Sequence, residues 1–135
     1  MPKMIFLNLP VTDLAKASKF YEAIGGVKNP KFSDDTSHCM VLSEAIFVML
    51  LSHEKYRKFT QRKIADMHKT SSALIALSNE AKADVDKTME KAVKAGGMAD
   101  PNPKQDLGFM YSRSIEDPDG HVWEIFWMDP AAAGS

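Results

Sequence analysis

The stretch Glu116-Asp-Pro-Asp-Gly-His-Val-Trp-Glu-Ile-Phe-Trp127 decides the fold of this chain. Its Asp-Pro-Asp-Gly segment has the composition of a tight turn, because Pro presets φ, Asp bonds the local backbone and Gly accepts a left-handed conformation. From Val122 to Trp127 the residues are apolar except for one carboxylate, Glu124, which indicates a β-strand. The stretch therefore predicts a hairpin that leads into the last strand of a sheet.

The same order of elements occurs twice along the chain, which indicates an internal repeat. The first copy has an apolar strand (Met4–Leu9) and an amphipathic helix (Leu14–Ile24), and the second has Ser72–Leu77 and Ala83–Ala95. A Gly-Gly pair ends each helix, as expected of C-terminal caps. Short strands are then predicted at Val27–Ser33, His38–Leu42 and Ala45–Leu51, and again at Met98–Pro101, Phe109–Ile115 and His121–Met128. Each half reads β-α-β-β-β, so we predict an α+β fold of two βαβββ modules.

The length of 135 residues predicts one domain, spanning residues 1–130. Module one covers about residues 4–51 and module two about residues 72–128, with a disordered tail predicted at residues 131–135. The segment between the modules, residues 52–71, is polar and predicted to be helical at Glu54–Phe59 and Arg62–His68. It is too long for a simple turn, so it is interpreted as a lid or a packing element.

Composition excludes several classes of function. A net charge of −1 argues against nucleic-acid binding, which needs a concentrated basic surface, and the basic residues of Lys55–Lys63 are interpreted as a solvated helix face. No apolar run is long enough to cross a membrane. The one cysteine, Cys39, cannot form an internal disulfide, which fits a reducing compartment. We therefore expect a cytoplasmic protein that binds neither nucleic acid nor membrane.

Two motifs together resemble the vicinal oxygen chelate superfamily, which includes glyoxalase I, extradiol dioxygenases, and fosfomycin- and bleomycin-resistance proteins. The motifs are Leu9-Pro-Val-Thr-Asp-Leu14 with Phe20-Tyr21, and Glu116-Asp-Pro-Asp-Gly-His121 with Trp123-Glu-Ile125. The similarity extends from Met4 to Met128, and the chain is most similar to the small glyoxalase-like proteins of bacteria. The resemblance implies curled mixed sheets that surround a cavity, with the helices outside.

The resemblance also implies four positions for metal ligands, two in each module. These positions fall on Phe6, on or beside Met49, on Leu74 and on Glu124. Only the last residue has a side chain that binds a divalent metal ion well. We therefore expect no metal and no other cofactor, and a divalent metal held by atypical ligands is the alternative.

Strand alternation predicts which residues would line the cavity. If Glu124 points inward, it would be a candidate general acid or base, because burial without a partner raises the pKa of a carboxylate. The structural interpretation is that Glu124 pairs with Tyr111 or Arg113 on the neighbouring strand. The predicted ligand-binding residues are Phe6, Asn8, Met49, Leu74, Ala76, Met110, Tyr111, Arg113 and Phe126.

Three hypotheses of function follow. The first is a glyoxalase- or bleomycin-resistance-like protein that binds or sequesters a small molecule in an apolar cavity without a metal. The second is an enzyme of the same fold, a lyase or dioxygenase, which uses a metal with atypical ligands or Glu124 as acid–base catalyst. The third is a protein whose sheets serve mainly as a dimer interface, and a homodimer is expected in any case because sheet edges favour pairing.

Overall fold

The computed structural model describes residues 3–133, and the chain divides into two compact units, Met1–Asp66 and Met67–Ser135. The first unit contains β1 (Ile5–Val11), α1 (Leu14–Ala23), β2 (Val27–Lys28), a 3-10 turn (Pro30–Phe32), β3 (Ser37–Val41), β4 (Ile46–Ser52) and α2 (His53–Tyr56). The second contains β5 (Leu74–Ser78), α3 (Lys82–Lys94), β6 (Met98–Ala99), β7 (Gln105–Asp106), β8 (Met110–Glu116), β9 (Val122–Met128) and α4 (Pro130–Ala133).

The sheet of the first unit has the strand order β1-β4-β3-β2. The strands β1 and β4 are parallel, whereas β3 is antiparallel to both of its neighbours. Helix α1 begins at Asp13, whose carboxylate accepts a hydrogen bond from the Lys16 backbone N–H at 3.0 Å. This helix packs on β3 and β4, and it buries one apolar stripe there. The buried side chains are Ala17, Phe20 and Tyr21 from α1 and Met40, Val48 and Leu50 from the sheet.

A buried polar contact joins α1 to β3. The Ser18 hydroxyl and His38 Nδ1 are 2.5 Å apart and hydrogen-bonded. Burial is the main cause that lowers the pKa of His38 below its usual value of 6.5; Lys28 lowers it further and Asp34 opposes the change. The folded protein therefore favours the neutral imidazole.

This pKa predicts that the stability of the first unit depends on pH. Because the folded pKa is lower than the unfolded one, His38 contributes its full stability above about pH 6.5, and the contribution is lost as the pH falls below that value. Urea unfolding at about pH 7 and pH 5 should therefore show a drop in the free energy of unfolding that is smaller in His38→Gln. His53→Gln, in the same unit, is the control and should retain the drop. An equal drop in both variants would show that His38 is not its source.

The sheet of the second unit repeats this arrangement. Its order is β5-β9-β8-β6, with β7 also paired to β8. The strands β5 and β9 are parallel, and β9 is antiparallel to β8. Helix α3 packs on β8, β9 and β6. Its Val85 and Met89 are fully buried, as are Ile115, Trp123 and Ile125 of the sheet.

The Asp-Pro-Asp-Gly segment forms the predicted hairpin turn. The Asp117 carboxylate accepts hydrogen bonds from the backbone N–H groups of Asp119 and His121 at 2.9 and 2.8 Å. Gly120 has φ +92°, and its Cα lies so close to residues 67 and 68 that an added Cβ would be 2.5 Å from the His68 backbone N. The turn therefore holds the start of the second unit against its last hairpin.

The predicted α+β fold of two βαβββ-type modules with mixed sheets is confirmed. Neither sheet closes into a barrel within residues 3–133. The cavity surrounded by both modules stays a prediction. No helix in residues 3–133 is long and apolar enough to cross a membrane.

Several boundaries differ from the predictions. The helix expected at residues 62–68 is absent: residue 62 lies in a bend, residues 63–66 have no regular structure and residues 67–68 form a turn. The strand expected at residues 27–33 ends after Lys28, where Asn29 caps the 3-10 turn that Pro30 begins. The strand β7 was missed, since two exposed polar residues have no apolar alternation. The tail predicted to be disordered forms the short helix α4 up to Ala133, and residues 134–135 lie outside the described part of the chain.

Candidate functional site

Each sheet has one face covered by a helix and an opposite face, which we call the open face. On the first sheet, Phe6 lies beside Phe47 and Asn8 beside Met49 in the register of β1 and β4. Cross-strand neighbours share a face, so the structure brings the predicted residues Phe6, Asn8 and Met49 together. The rings of Phe6 and Phe47 stack with centroids 4.5 Å apart and planes 8° from parallel. This open face is therefore mainly apolar.

Helix α2 and the turn after it contribute to a pocket on the open face of the first sheet. The pocket, which we call the α2 pocket, has a volume of about 360 Å³. Its lining residues are Asn8, Leu51, Tyr56, Phe59 and Thr60. Leu51 is 2% exposed, whereas Phe59 is 71% exposed, so the pocket joins a buried floor to an exposed aromatic wall. A small apolar pocket with a few polar groups is the usual form of a ligand site.

Sequence reasoning found one of these lining residues, Asn8, and missed the rest. The available signal was the polar segment after β4, which was interpreted as a lid or a packing element. Ser52 caps α2 by accepting a hydrogen bond from the Lys55 backbone N–H at 3.1 Å. The helix then ends after one turn, so Phe59 and Thr60 follow it closely. A pattern of alternating or helical apolar residues does not reveal such a wall.

The open face of the second sheet carries Glu124. This residue is half-buried and lies beside Ala76 on β5 and Ser114 on β8. The alternation of side chains places the other predicted residues of this face with it. They are Leu74 on β5, Met110 on β8 and Phe126 on β9. The structure thus brings the predicted residues of module two together, apart from Tyr111 and Arg113.

Tyr111 and Arg113 lie on the opposite, helix-covered face, so the prediction that they pair with Glu124 is wrong. The register explains the error, since Glu124 pairs with Ser114 and side chains alternate along β8. The Tyr111 hydroxyl donates to Asp86 at 2.8 Å. The Arg113 guanidinium donates to Asp86 at 2.9 Å and twice to Asp100, at 2.7 and 3.1 Å. These residues tie α3 and the loop after β6 to the sheet.

The ionic cluster on that face has perturbed pKa values with clear causes. The hydrogen bond from Tyr111 is the largest cause that lowers the pKa of Asp86, and the hydrogen bond from Arg113 is the largest that lowers the pKa of Asp100. The same carboxylates raise the pKa of Arg113, so all three groups are held in their charged forms. Charged groups that satisfy one another are a structural feature of this face.

A second carboxylate shares the open face with Glu124. Glu116 is two residues from Ser114 on β8, so its side chain lies on the same face. Its Oε1 is 3.3 Å from Nδ1 of His68, and its side chain is only 12% exposed. In the sequence, Glu116 is part of the turn motif, and no local pattern predicts its pairing with His68, 48 residues away in the chain.

The family of the chain follows from a comparison with known families. A model of the Glyoxalase/Bleomycin resistance protein/Dioxygenase superfamily matches residues 3–125. The chain belongs to this superfamily, and the resemblance noted from the two motifs is confirmed. No curated protein matches the chain.

Solved structures share the fold. A hypothetical protein of S. aureus is 24% identical, with a TM-score of 0.76 and coverage of 94% of each chain. A glyoxalase-related enzyme of Fulvimarina pelagi is 21% identical, with a TM-score of 0.77 and coverage of 94% of this chain and 88% of that one. The fosfomycin resistance protein FosX of Mesorhizobium loti is 16% identical, with a TM-score of 0.70 and coverage of 100% and 99%. At these identities the comparisons show the fold alone.

The positions that the resemblance implies for metal ligands fall on Phe6, on or beside Met49, on Leu74 and on Glu124. Among these four residues the only donors are one carboxylate and one thioether. A divalent ion in such a site needs several nitrogen or oxygen donors. Within residues 3–133, no three His, Cys, Asp or Glu side chains are grouped so that they could hold a metal ion.

Proposed function

We propose that this protein binds a small apolar molecule in the α2 pocket and works by sequestering it, without the metal centre of its superfamily. The observation that carries the proposal is the α2 pocket itself, where Leu51, Tyr56 and Phe59 supply apolar and aromatic surface. The side chains at the metal positions support the same function, since Phe6 stacks on Phe47 where a ligand for a metal would stand. Contact with a ligand would bury the exposed ring of Phe59 and thereby stabilise the complex.

The size of the effect can be related to buried area. Burial of a phenylalanine side chain contributes about 1.5–3 kcal/mol, and each 1.4 kcal/mol changes an affinity about tenfold. Because 71% of Phe59 is exposed in the protein alone, a ligand that covers this surface would gain most of that ~1.5–3 kcal/mol in binding free energy. We therefore expect that loss of this ring lowers the affinity for an apolar ligand by about tenfold.

The neutral fluorescent dye N-phenyl-1-naphthylamine provides a test. It should bind the wild-type protein with saturation and bind Phe59→Ala about tenfold more weakly. The matched control is Phe32→Ala, which removes an equally exposed ring, 66% against 71%, from the same unit and outside the lining of the pocket. The affinity of Phe32→Ala for the dye should stay within about twofold of the wild-type value. Incubation with EDTA should not change it, because no metal takes part.

Two results would contradict the proposal. Equal weakening by Phe59→Ala and Phe32→Ala would show that the dye binds exposed rings in general. Binding that disappears after EDTA and returns with a divalent ion would favour a metal site with atypical ligands. Circular dichroism of each variant checks that the fold is retained.

A second candidate function is an enzyme of the same fold that uses Glu124 as acid–base catalyst. The observation in its favour is that Glu124 is half-buried on the open face of the second sheet, which it shares with Ser114 and Glu116. Glu124→Gln separates the two functions, because the substitution keeps the shape of the side chain and removes its ability to take a proton. Under the binding proposal, this variant keeps the dye affinity of the wild type.

We also propose that the protein is a cytoplasmic homodimer. The support for pairing is that β1 and β5 are edge strands of their sheets among residues 3–133. Exposed apolar side chains lie on both strands, with Ile5 57% and Leu74 53% exposed. Edge strands of this kind favour association with another copy. The single cysteine, Cys39, is buried, which is compatible with a reducing compartment.

A further inference from the structure

We propose that the ligand of the α2 pocket is a small organic anion, in which an apolar or aromatic body carries one carboxylate, sulfonate or phosphate group. The inference rests on the proposed binding function and specifies the charge of the ligand. The evidence for this charge comes from the side chains around the pocket rather than from those that form its floor.

The segment that forms the outer wall of the pocket is strongly basic. Residues 53–63 contain five lysines and arginines and a single carboxylate, Glu54. The whole chain, in contrast, has 17 basic and 18 acidic residues. The basic residues are Lys55, Arg57, Lys58, Arg62 and Lys63. This concentration of one sign beside a concave surface produces a local positive potential that attracts anions.

One of these cations lies directly at the wall of the pocket. Lys55 Nζ is 5.7 Å from the centroid of the Phe59 ring, and Phe59 lines the pocket. The ion pairs found within residues 3–133 are made by His68, Lys82 and Arg113 rather than by these five basic residues. Such a cation, held near an apolar wall by its contact with the ring, suits a ligand that is both apolar and negative.

The lining of the pocket is also compatible with an anion. Its polar groups are the amide of Asn8 and the hydroxyls of Tyr56 and Thr60, all of which can donate hydrogen bonds. None of the residues that line the pocket is acidic. A cationic ligand would therefore find Lys55 at the wall and no carboxylate among the lining residues, whereas an anion would find donors and positive charge.

A second use of basic residues beside an exposed aromatic ring is attachment to an anionic membrane surface. That use needs a patch that faces outward, whereas Lys55 lies beside Phe59 at a pocket of about 360 Å³ with a floor formed by Leu51. A volume of this size corresponds to a small molecule. The observations therefore favour a soluble organic anion, and membrane binding is an outcome of the test.

Two dyes that differ by one sulfonate measure the effect of charge. N-phenyl-1-naphthylamine is neutral, and 8-anilinonaphthalene-1-sulfonate has the same rings with a negative charge. At low salt the anionic dye should bind about tenfold more tightly than the neutral one, and the ratio should approach one at about 0.5 M salt, because exposed charges are then screened. Since the anionic dye also binds partly unfolded protein, circular dichroism must show an intact fold.

Two substitutions locate the charge effect. Asn8→Asp is nearly isosteric and places a carboxylate inside the pocket, so the anionic dye should lose about tenfold in affinity and the neutral dye less than about twofold. Lys55→Gln should lower the affinity for the anionic dye about three- to fivefold, as expected for a partly exposed charge. The matched controls are Asn102→Asp and Lys87→Gln, which make the same changes on exposed residues of the second unit and should leave both dyes unaffected.

The outcomes separate the two proposals. If Phe59→Ala weakens the neutral dye but the anionic dye binds no more tightly, the inference fails and the binding function stands. If neither dye responds to Phe59→Ala, both fail. If the protein sediments with phosphatidylserine vesicles, loses this with Lys55→Gln and keeps it with Asn8→Asp, the basic segment serves a membrane surface and the inference is overturned.

Discussion

Gly120→Ala is expected to destabilise the protein by about 2–5 kcal/mol, a large part of the total stability of a small protein. Two effects combine at this position. The backbone has φ +92°, where a Cβ costs about 1–2 kcal/mol. The Cβ would also be 2.5 Å from the His68 backbone N and 2.6 Å from the Met67 carbonyl carbon. Backbone atoms cannot rotate away as a side chain can, so the hairpin or the segment at residues 67–68 must move.

A second glycine separates the two effects. Gly108 has φ +83°, and nothing lies within 4 Å of a Cβ added there. Gly108→Ala therefore measures the conformational cost alone, about 1–2 kcal/mol. Urea unfolding of both variants gives the difference that is due to the close approach. If the two substitutions cost the same, the contact between the turn and residues 67–68 is looser than the structure shows.

Trp123→Ala should have an effect of similar size, about 3–5 kcal/mol. Trp123 is the largest of the fully buried side chains, and it lies on the face of β9 that packs against α3. Truncation removes its apolar contacts and leaves a cavity, and both effects destabilise the folded protein. Thermal and urea unfolding followed by circular dichroism measure the loss, which should appear as a lower midpoint with an unchanged m value.

Trp127→Ala is the matched control in the same strand. Trp127 is only half-buried near the end of β9, so its truncation should cost clearly less. Comparable losses for the two tryptophans would indicate that the end of the strand is as tightly packed as its centre. A small loss for Trp123→Ala would contradict the assignment of this residue to the core between sheet and helix.

The fold could be predicted from local patterns because those patterns agree with the tertiary structure. The Asp13 cap, the apolar stripe of α1 and the Asp117–Gly120 turn each specify their own geometry. Elements without such a pattern were missed or misplaced. The strand β7 is held by pairing with β8 rather than by its two residues. In the segment expected to be helical at residues 62–68, residues 67 and 68 form a turn that approaches Gly120.

The candidate site could be predicted only in part. Alternation along a strand placed Phe6, Asn8 and Met49 on one face, and Glu124 with Leu74 and Ala76 on another. The error with Arg113 arose because the partner of Glu124 depends on the register of the hairpin, which a shift of one residue reverses. Phe59 and Thr60 lie after a helix of one turn, so only the folded structure shows that they line a pocket.

The most direct test of the central claim, that this chain binds an apolar molecule in the α2 pocket, is to map the bound dye by 15N NMR. On titration with N-phenyl-1-naphthylamine, the backbone amide signals of residues 51 and 56–60 and the side-chain amide of Asn8 should shift together and saturate. A second pocket is lined by Met89, Val93 and Lys94 of α3 and by Arg113 of β8. Perturbations centred on that pocket instead would contradict the claim, as would a spectrum that does not change.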